Sequence, residues 1–346
     1  MSVALDLGAH ALRSLACRGD VLTARRQRSA YAVTPDVPAQ REMLRQARIG
    51  FANCDGNLVL MGDAAIEMAR VFDIPALDLL PAGMVPTTNP VARQILAILV
   101  DALLGAPQHA DEICCFTQPA QVVDSRDERA ESQEFFRRLI RIKGFQPLVM
   151  TAGQALVFSE LARDGFSGIA AVLGASACEL TVAHRGMSMF SRSIPRGGRW
   201  LDEQVARQCE MIRHDPSGRL RNDVDQASRL RESARSALLS PTIEAERHLQ
   251  FAYHDLANHL CGEILRSLEE TPRITELPAP VSVVFGGGLF QTPGLADLVA
   301  QKLMSMRLPV PIRAPRLAQR GDYAITRGCL INAELEITTR SFRTAA

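Results

Sequence analysis

The sequence predicts an α/β protein built from two similar halves. Three observations carry this. Strand and helix signals alternate along the chain instead of segregating. A strand, glycine turn, strand unit occurs twice, at Leu5 to Asp20 and again at Val172 to Gly186. The 346 residues are enough for two domains of about 150 residues each.

The first half opens as a β-meander. Val3 to Leu7 is a short apolar run ended by Gly8, and Leu12 to Cys17 and Val21 to Thr23 follow around the turn Arg18-Gly19-Asp20. Phe51 to Met61 reads as a hairpin around Cys54-Asp55-Gly56-Asn57, and Gly62-Asp63 leads into a helix to about Phe72. Asn89-Pro90 starts a helix to Leu104, with Asn as cap and Pro at the first position. Glu112 to Phe116 is a buried strand. Asp124 is expected to cap a polar helix running to about Lys143, which Gly144 ends. Gln146 to Met150 is a short strand.

In the second half, Gly153 to Ala162 reads as a helix, and Gly168 to Leu173, Ala177 to His184 and Met187 to Ile194 as three strands. Helices are expected over Gly198 to Ile212, Val224 to Leu239 and Gln250 to Leu268. A proline-rich loop leads to a core strand, Val281 to Phe285, then to Gly286-Gly287-Gly288 and a helix near Leu295 to Met304. Gly321-Asp322 opens a last helix to about Glu334, and the residues after Arg340 are expected to fray.

Composition excludes several classes. With 39 basic against 38 acidic residues the net charge is +1, which gives no broad attraction to nucleic acid or anionic membrane. No apolar run reaches the roughly 18 residues of a membrane span, and the start MSVALDLGAH lacks the basic region of a signal peptide. The eight cysteines include no C-x-x-C pair and read as reduced core residues of a cytoplasmic protein. The phosphate loop G-x-x-x-x-G-K-[ST] does not occur. Ser176 lacks the G-x-S-x-G of a hydrolase nucleophile. His248, His254 and His259 are spaced by 6 and 5, so they do not share a helix face and read as no metal site. The basic run Arg25-Arg26-Gln27-Arg28 reads as a solvated turn.

The repeated hairpin has a chemical use. A turn containing Gly lets backbone N–H groups approach an anion, and two such turns facing each other across a cleft would grip a polyphosphate from both sides. Gly8 matches Gly174 and Ala9 matches Ala175. Asp6, beside the first turn, would repel phosphate but can hold a hydrated Mg²⁺.

In these residues the chain resembles the actin superfamily: actin, its bacterial homologue MreB, and the ATPase domain of heat-shock chaperones. Five motifs stand in the family's order. The first phosphate loop corresponds to Asp6-Leu7-Gly8 and the first connecting helix to Thr151 to Leu161. The second phosphate loop corresponds to Val172 to Ala177, with Gly174, Ala175 and Ser176 at its turn. The adenosine motif corresponds to Val283 to Gly288, with Gly286, Gly287 and Gly288. The second connecting helix corresponds to Asp322 to Ala333, with Gly328 at the family's helix–helix glycine. Gly197 to Asp202 is similar to the family's Gly-Gly-x-x-hydrophobic-Asp. Leu230 to Leu238 is similar to the chaperone helix whose Glu and basic residue, here Glu232 and Arg235, hold adenosine.

The resemblance implies a two-lobed actin-like ATPase fold, each lobe a mixed β-sheet flanked by helices, with small inserted subdomains. Lobe I would take residues 1–150 with 321–346 returning to it and an insertion at about 31–85; lobe II would take 151–320 with an insertion at about 203–280. It implies ATP and Mg²⁺ as cofactors, with Asp6 at the metal. The implied role is cytoskeletal, MreB-like and related to cell shape, in a cytoplasmic protein that self-assembles as filament or dimer. Further cytoskeletal or membrane-associated partners fit the same resemblance.

The chain departs from the family at the chemistry. Val172 stands where the second loop begins with Asp, and Ala9 and His10 replace hydroxyl residues of the first. One register puts Thr151 at the water-positioning place; the actin pattern of Gln followed by Ala puts Gln154 there and is preferred. Arg13 stands seven residues after Asp6, where actin has a phosphate-reaching Lys. These departures imply slow or absent hydrolysis. They leave open an actin-fold scaffold that binds no nucleotide, and a chaperone-type ATPase domain.

Overall fold

A computed structural model describes residues 2–120, 126–214, 218–319 and 321–345. The chain divides into two compact units. The first comprises Met1–Gln118, Asp124–Val149 and Ala333–Ala346, and the second Pro119–Val123 and Met150–Asn332.

The first unit opens with an antiparallel meander of β1 (Ser2–Leu7), β2 (Ala11–Arg18) and β3 (Val21–Arg28). Alternation sorts β1 by face: Val3, Leu5 and Leu7 join the apolar core, while Ser2 and Asp6 lie on the other face. Next come β4 (Ala30–Pro35), α1 (Pro38–Gln46), β5 (Ala52–Cys54), β6 (Asn57–Met61), α2 (Asp63–Val71) and β7 (Leu77–Asp78). They form a small layer whose sheet runs β5-β6-β4-β7, with Leu44, Leu58, Leu60 and Met68 in its core. Then α3 (Pro90–Leu104), β8 (Ile113–Thr117), α4 (Arg126–Ile142) and β9 (Gln146–Val149) complete the main sheet, ordered β3-β2-β1-β8-β9 with β8 parallel to β1. As expected, the Asn89 side chain caps α3 by accepting from Ala92 N. Asp124, expected to cap α4, lies outside the described residues.

The second unit contains α5 (Ala152–Glu160), β10 (Gly168–Leu173), β11 (Cys178–His184), β12 (Met187–Ile194), α6 (Gly198–Gln208), β13 (Ile212–His214), β14 (Leu220–Asn222), α7 (Val224–Ser233), α8 (Glu244–Glu270), β15 (Val283–Gly286), α9 (Leu295–Ser305) and β16 (Arg316–Leu317). Its sheet runs β12-β11-β10-β15-β16, with β15 parallel to β10. The two main sheets therefore share one plan: a three-stranded meander whose first strand also pairs in parallel with a later strand. Leu249, Leu256, Leu260 and Ile264 of α8 share the larger core with Ile169, Ala171 and Leu173 of β10. The last helix, α10 (Ala324–Ala345), begins in the second unit and ends in the first.

The structure corrects several expectations. The basic run 25–28 is not a turn: β3 carries through it, paired with β2 along its full length. Arg25 donates to the carbonyl of Ala102 and Arg18 to that of Ala106, so both close the C-terminal end of α3. Arg26 pairs with Asp63. The last helix does not end at Glu334 but runs on to Ala345. Ser2 donates to Glu334, and the Arg340 guanidinium donates to Gln146 Oε1 at 2.5 Å, which ties the helix down. The helix expected to reach Ile212 stops at Gln208, and the short β13–β14 hairpin follows. The helix expected to reach Leu239 stops at Ser233. The one expected from Gln250 starts at Glu244, where Glu246 accepts from the N–H and hydroxyl of Thr242.

Candidate functional site

The two glycine turns are the same turn. Leu7 pairs with Leu12, and Leu173 with Cys178, so each hairpin reverses over the same number of residues. A β-carbon on Gly8 would meet the carbonyl of Ala11 at 2.7 Å, and one on Gly174 the carbonyl of Ala177 at 3.2 Å. The glycine at the matching place in each hairpin is thus set by the approach of its own backbone.

In the second unit, the turn lies beside the glycine triad because β10 and β15 are parallel neighbours, with Val172 opposite Gly286. Both strands end at the same edge, the place where open parallel sheets receive ligands. Gly287 has φ +93° and passes so close to β10 that a β-carbon would lie 2.4 Å from the carbonyl of Leu173. Gly286 packs against Leu156 of α5, whereas a β-carbon on Gly288 would meet nothing within 4 Å. Open space therefore adjoins the triad at Gly288.

The N-terminus of α6 backs the turn. Gly198 N donates to the carbonyl of Gly174 at 3.1 Å, and Arg199 N to that of Ala175 at 2.9 Å. A β-carbon on Gly197 would strike both carbonyls, at 2.7 and 2.6 Å. In a planar trans peptide the N–H points opposite to the C=O. With both carbonyls turned to α6, the N–H groups of Ala175 and Ser176 point to the other side. Two adjacent N–H groups on one side suit an anion.

The first unit's hairpin carries charge. Asp6 and Arg13 are cross-strand partners, with Arg13 Nη1 3.6 Å from Asp6 Oδ2. Thr117 of β8 donates to Asp6 Oδ1 at 2.8 Å. Burial pushes the Asp6 carboxyl up from its usual range, against the pull of Arg13 and Thr117.

The matching register in the second unit holds Val172 and Glu179. Sequence reasoning missed Glu179. It is buried, and its Oε1 accepts from Gly153 N of α5 at 2.6 Å, with Thr151, Ala152 and Thr181 as further donors. Burial nevertheless pushes its carboxyl upward. The signal was a lone charge inside the apolar run of β11.

Three expectations meet different surroundings. The Gln154 amide donates to the carbonyl of Gly186 at 2.9 Å, in the β11–β12 turn at the far end of the sheet from Gly174. Thr151 caps α5 by accepting from Gln154 N. Glu232 and Arg235 are exposed, on α7 and in the turn after it. The inward-facing residue is Arg231, whose guanidinium makes two bonds to Asp202 of α6, at 2.6 and 3.0 Å, and lies beside Gly198. Burial works against the Arg231 charge, but Asp202 outweighs it and raises its pKa. Helix spacing held the signal: Ala227, buried in α7, precedes Arg231 by one turn.

Of Gly174 and Gly286 to Gly288, Gly288 is the one whose β-carbon position is open, and the N–H groups of Ala175 and Ser176 face away from α6. The donors do not fit Mg²⁺ at Asp6. Both of its oxygens face donors of this chain, and a metal of that kind wants octahedral oxygen ligands including its own waters. Among the described residues no three His, Cys, Asp or Glu side chains converge on a metal position.

Comparison with known proteins agrees on the fold. MamK, solved as a double helical filament, is 17% identical, with a TM-score of 0.69 over 96% of this chain and 99% of that one. MreB 5 of Spiroplasma citri, solved bound to AMPPNP, is 12% identical, with a TM-score of 0.68 over 99% and 98%. The ethanolamine utilization protein EutJ from Carboxydothermus hydrogenoformans is 12% identical, with a TM-score of 0.52 over 95% and 89%. The fold is thus the actin-like one, with mixed sheets flanked by helices. No curated protein matches in sequence. The Volactin family matches residues 1–333 of the 346, and the chain belongs to that family.

Proposed function

We propose that the protein is an actin-like, nucleotide-binding protein that assembles with copies of itself and hydrolyses ATP slowly or not at all. One observation carries the nucleotide reading: the Gly174 turn and the Gly286 to Gly288 triad end adjacent parallel strands, and open space adjoins Gly288. The N–H groups of Ala175 and Ser176 would hold phosphate, and the triad would let ribose and adenine lie against backbone. The resemblance suggests Gly8 and Arg13 as further phosphate-binding residues.

Weak hydrolysis is supported by two features. Val172 puts an apolar side chain where the actin-superfamily pattern has Asp. Gln154 is engaged by Gly186, so aiming a water would require it to leave that bond. Self-assembly is supported by the shared fold, which MamK presents as a filament. A cytoplasmic site of action fits the described helices, none of which is long and apolar enough to cross a membrane. Other cytoskeletal or membrane-associated proteins are the further partners the fold suggests.

Calorimetry with ATP tests the nucleotide reading, comparing wild type with Gly288→Val. Micromolar binding lost in the variant is the expected result. Heat with neither protein would favour a nucleotide-free scaffold, the second reading, which Val172 supports. Sedimentation with and without ATP tests assembly; a protein that stays in the supernatant under both conditions would argue against it. A chaperone-type ATPase domain draws less support, since Glu232 and Arg235 are exposed.

A further inference from the structure

We infer that Arg231 reads the sugar of the bound nucleotide: the guanidinium, held by Asp202, donates from Nη1 to a ribose hydroxyl. This rests on the nucleotide reading above and names a residue that sets the choice of ligand at that site. Every residue it involves belongs to the second unit.

Three observations converge. First, Arg231 is held in one place. Its Nε and Nη2 donate to the two oxygens of Asp202 on α6, at 2.6 and 3.0 Å, and Nη2 also reaches Ser228 Oγ at 3.2 Å. A planar fork fixed along one edge fixes its third nitrogen as well. Second, that nitrogen is unused. Among the described residues nothing accepts from Arg231 Nη1, and the side chain keeps 17% of its exposure. Third, Arg231 stands beside the phosphate turn. Its Nη2 and the α-carbon of Ala175 both lie 3.7 Å from the point a β-carbon on Gly198 would occupy. Arg231 is also within electrostatic reach of Tyr253 on α8, whose hydroxyl is 3.4 Å from Thr292 Oγ1 in the loop that follows the triad.

Charge favours the sugar over the phosphates. Asp202 meets the guanidinium with both oxygens, so the pair as a whole is neutral. It offers N–H donors without the surplus positive charge that draws a phosphate. Phosphate has its own donors in the N–H groups of Ala175 and Ser176. The first neutral oxygens beyond the phosphates of a nucleotide are the sugar hydroxyls, and each can accept from Nη1. A donor fixed in this way discriminates against a ligand that lacks the hydroxyl, because the donor is then left unserved.

The test is calorimetry of wild type and Arg231→Met with three ligands: ATP, dideoxy-ATP, which lacks both sugar hydroxyls, and inorganic tripolyphosphate. Wild type is expected to bind dideoxy-ATP roughly tenfold more weakly than ATP, the scale of a hydrogen bond from a charged group. Arg231→Met is expected to bind ATP roughly tenfold more weakly than wild type and dideoxy-ATP equally well. Tripolyphosphate has no sugar and should bind both proteins alike. Because Arg231→Met strands the Asp202 carboxylate, the double variant Arg231→Met with Asp202→Asn repeats the comparison without a buried charge, and circular dichroism melts confirm folding. Wild type that binds ATP and dideoxy-ATP equally would overturn the inference and leave the nucleotide reading intact; that arm needs no variant. A folded variant that loses tripolyphosphate along with ATP would also overturn it, by making Arg231 a positioning residue of the turn. Wild type that binds neither ATP nor tripolyphosphate would overturn both.

Discussion

Gly328 of α10 lies against the carbonyl of Ala155 in α5, so closely that a β-carbon at 328 would sit 1.7 Å from that oxygen. The obstacle is backbone, so no rotamer change relieves it. Even Gly328→Ala would force the two helices apart by more than an ångström and open their packing. The expected loss is more than about 3 kcal/mol of unfolding free energy, read from urea denaturation. A variant that unfolds at the wild-type midpoint would mean the helices do not cross there.

Gly287 and Gly288 separate fold from ligand. At Gly287, φ is +93° and the carbonyl of Leu173 blocks a side chain. Gly287→Ala should therefore lower stability by about 2–3 kcal/mol. Gly288→Ala meets open space and should melt within about 0.5 kcal/mol of wild type, while weakening ATP binding. Equal losses of stability in the two variants would contradict this division.

Glu179 gives a pH dependence with a definite sign. Burial raises its carboxyl above the usual range. Its contribution to stability is then fully present below about pH 4.5, the unfolded value, and is lost as pH rises through the folded one. Glu179→Gln keeps an acceptor for Gly153 N without the charge. It should equal or exceed wild type in stability at pH 8, and the difference should shrink on acidification. Glu179→Ala leaves Gly153 N unserved and should cost about 1–3 kcal/mol near pH 4, and less as pH rises. Denaturant midpoints across pH 4 to 8 decide it; a Gln variant that loses stability as pH rises would reverse the sign.

Val172→Asp introduces the Asp of the actin-superfamily pattern and should nonetheless destabilise. Val172 is buried among α5-facing apolar residues, and its cross-strand partner is Glu179. Two carboxylates facing each other in that setting should cost about 2–4 kcal/mol at neutral pH. Phosphate release should stay low, because Gln154 remains on Gly186. A stable variant with rapid release would show that Val172 alone limits hydrolysis.

What the sequence revealed depended on the kind of signal each residue gives. The two hairpins were legible because alternation, glycine and an apolar strand repeat together. Gly328 was legible because it stands at its place in a motif. Glu179 and Arg231 were not, because each acts through a partner remote in sequence, Gly153 for one and Asp202 for the other. In the 230–238 stretch the motif drew attention to Glu232 and Arg235, while the helix turned Arg231 inward. The β13–β14 hairpin went unread because its strands have three residues each and every one is exposed, so no burial pattern marks them. The length of α10 was hidden for the same reason: Ser2 and Gln146, which hold its later turns, are far away in the chain.

The β3 edge bears on how copies of the chain can meet. An outermost strand offers free backbone groups to any neighbour, and β3 is outermost in its sheet. It carries Arg25, anchored on the end of α3, and Arg26, paired with Asp63. A second molecule presenting the same strand would bring like charges into register with these. Joining of two copies sheet to sheet through β3 is thereby discouraged.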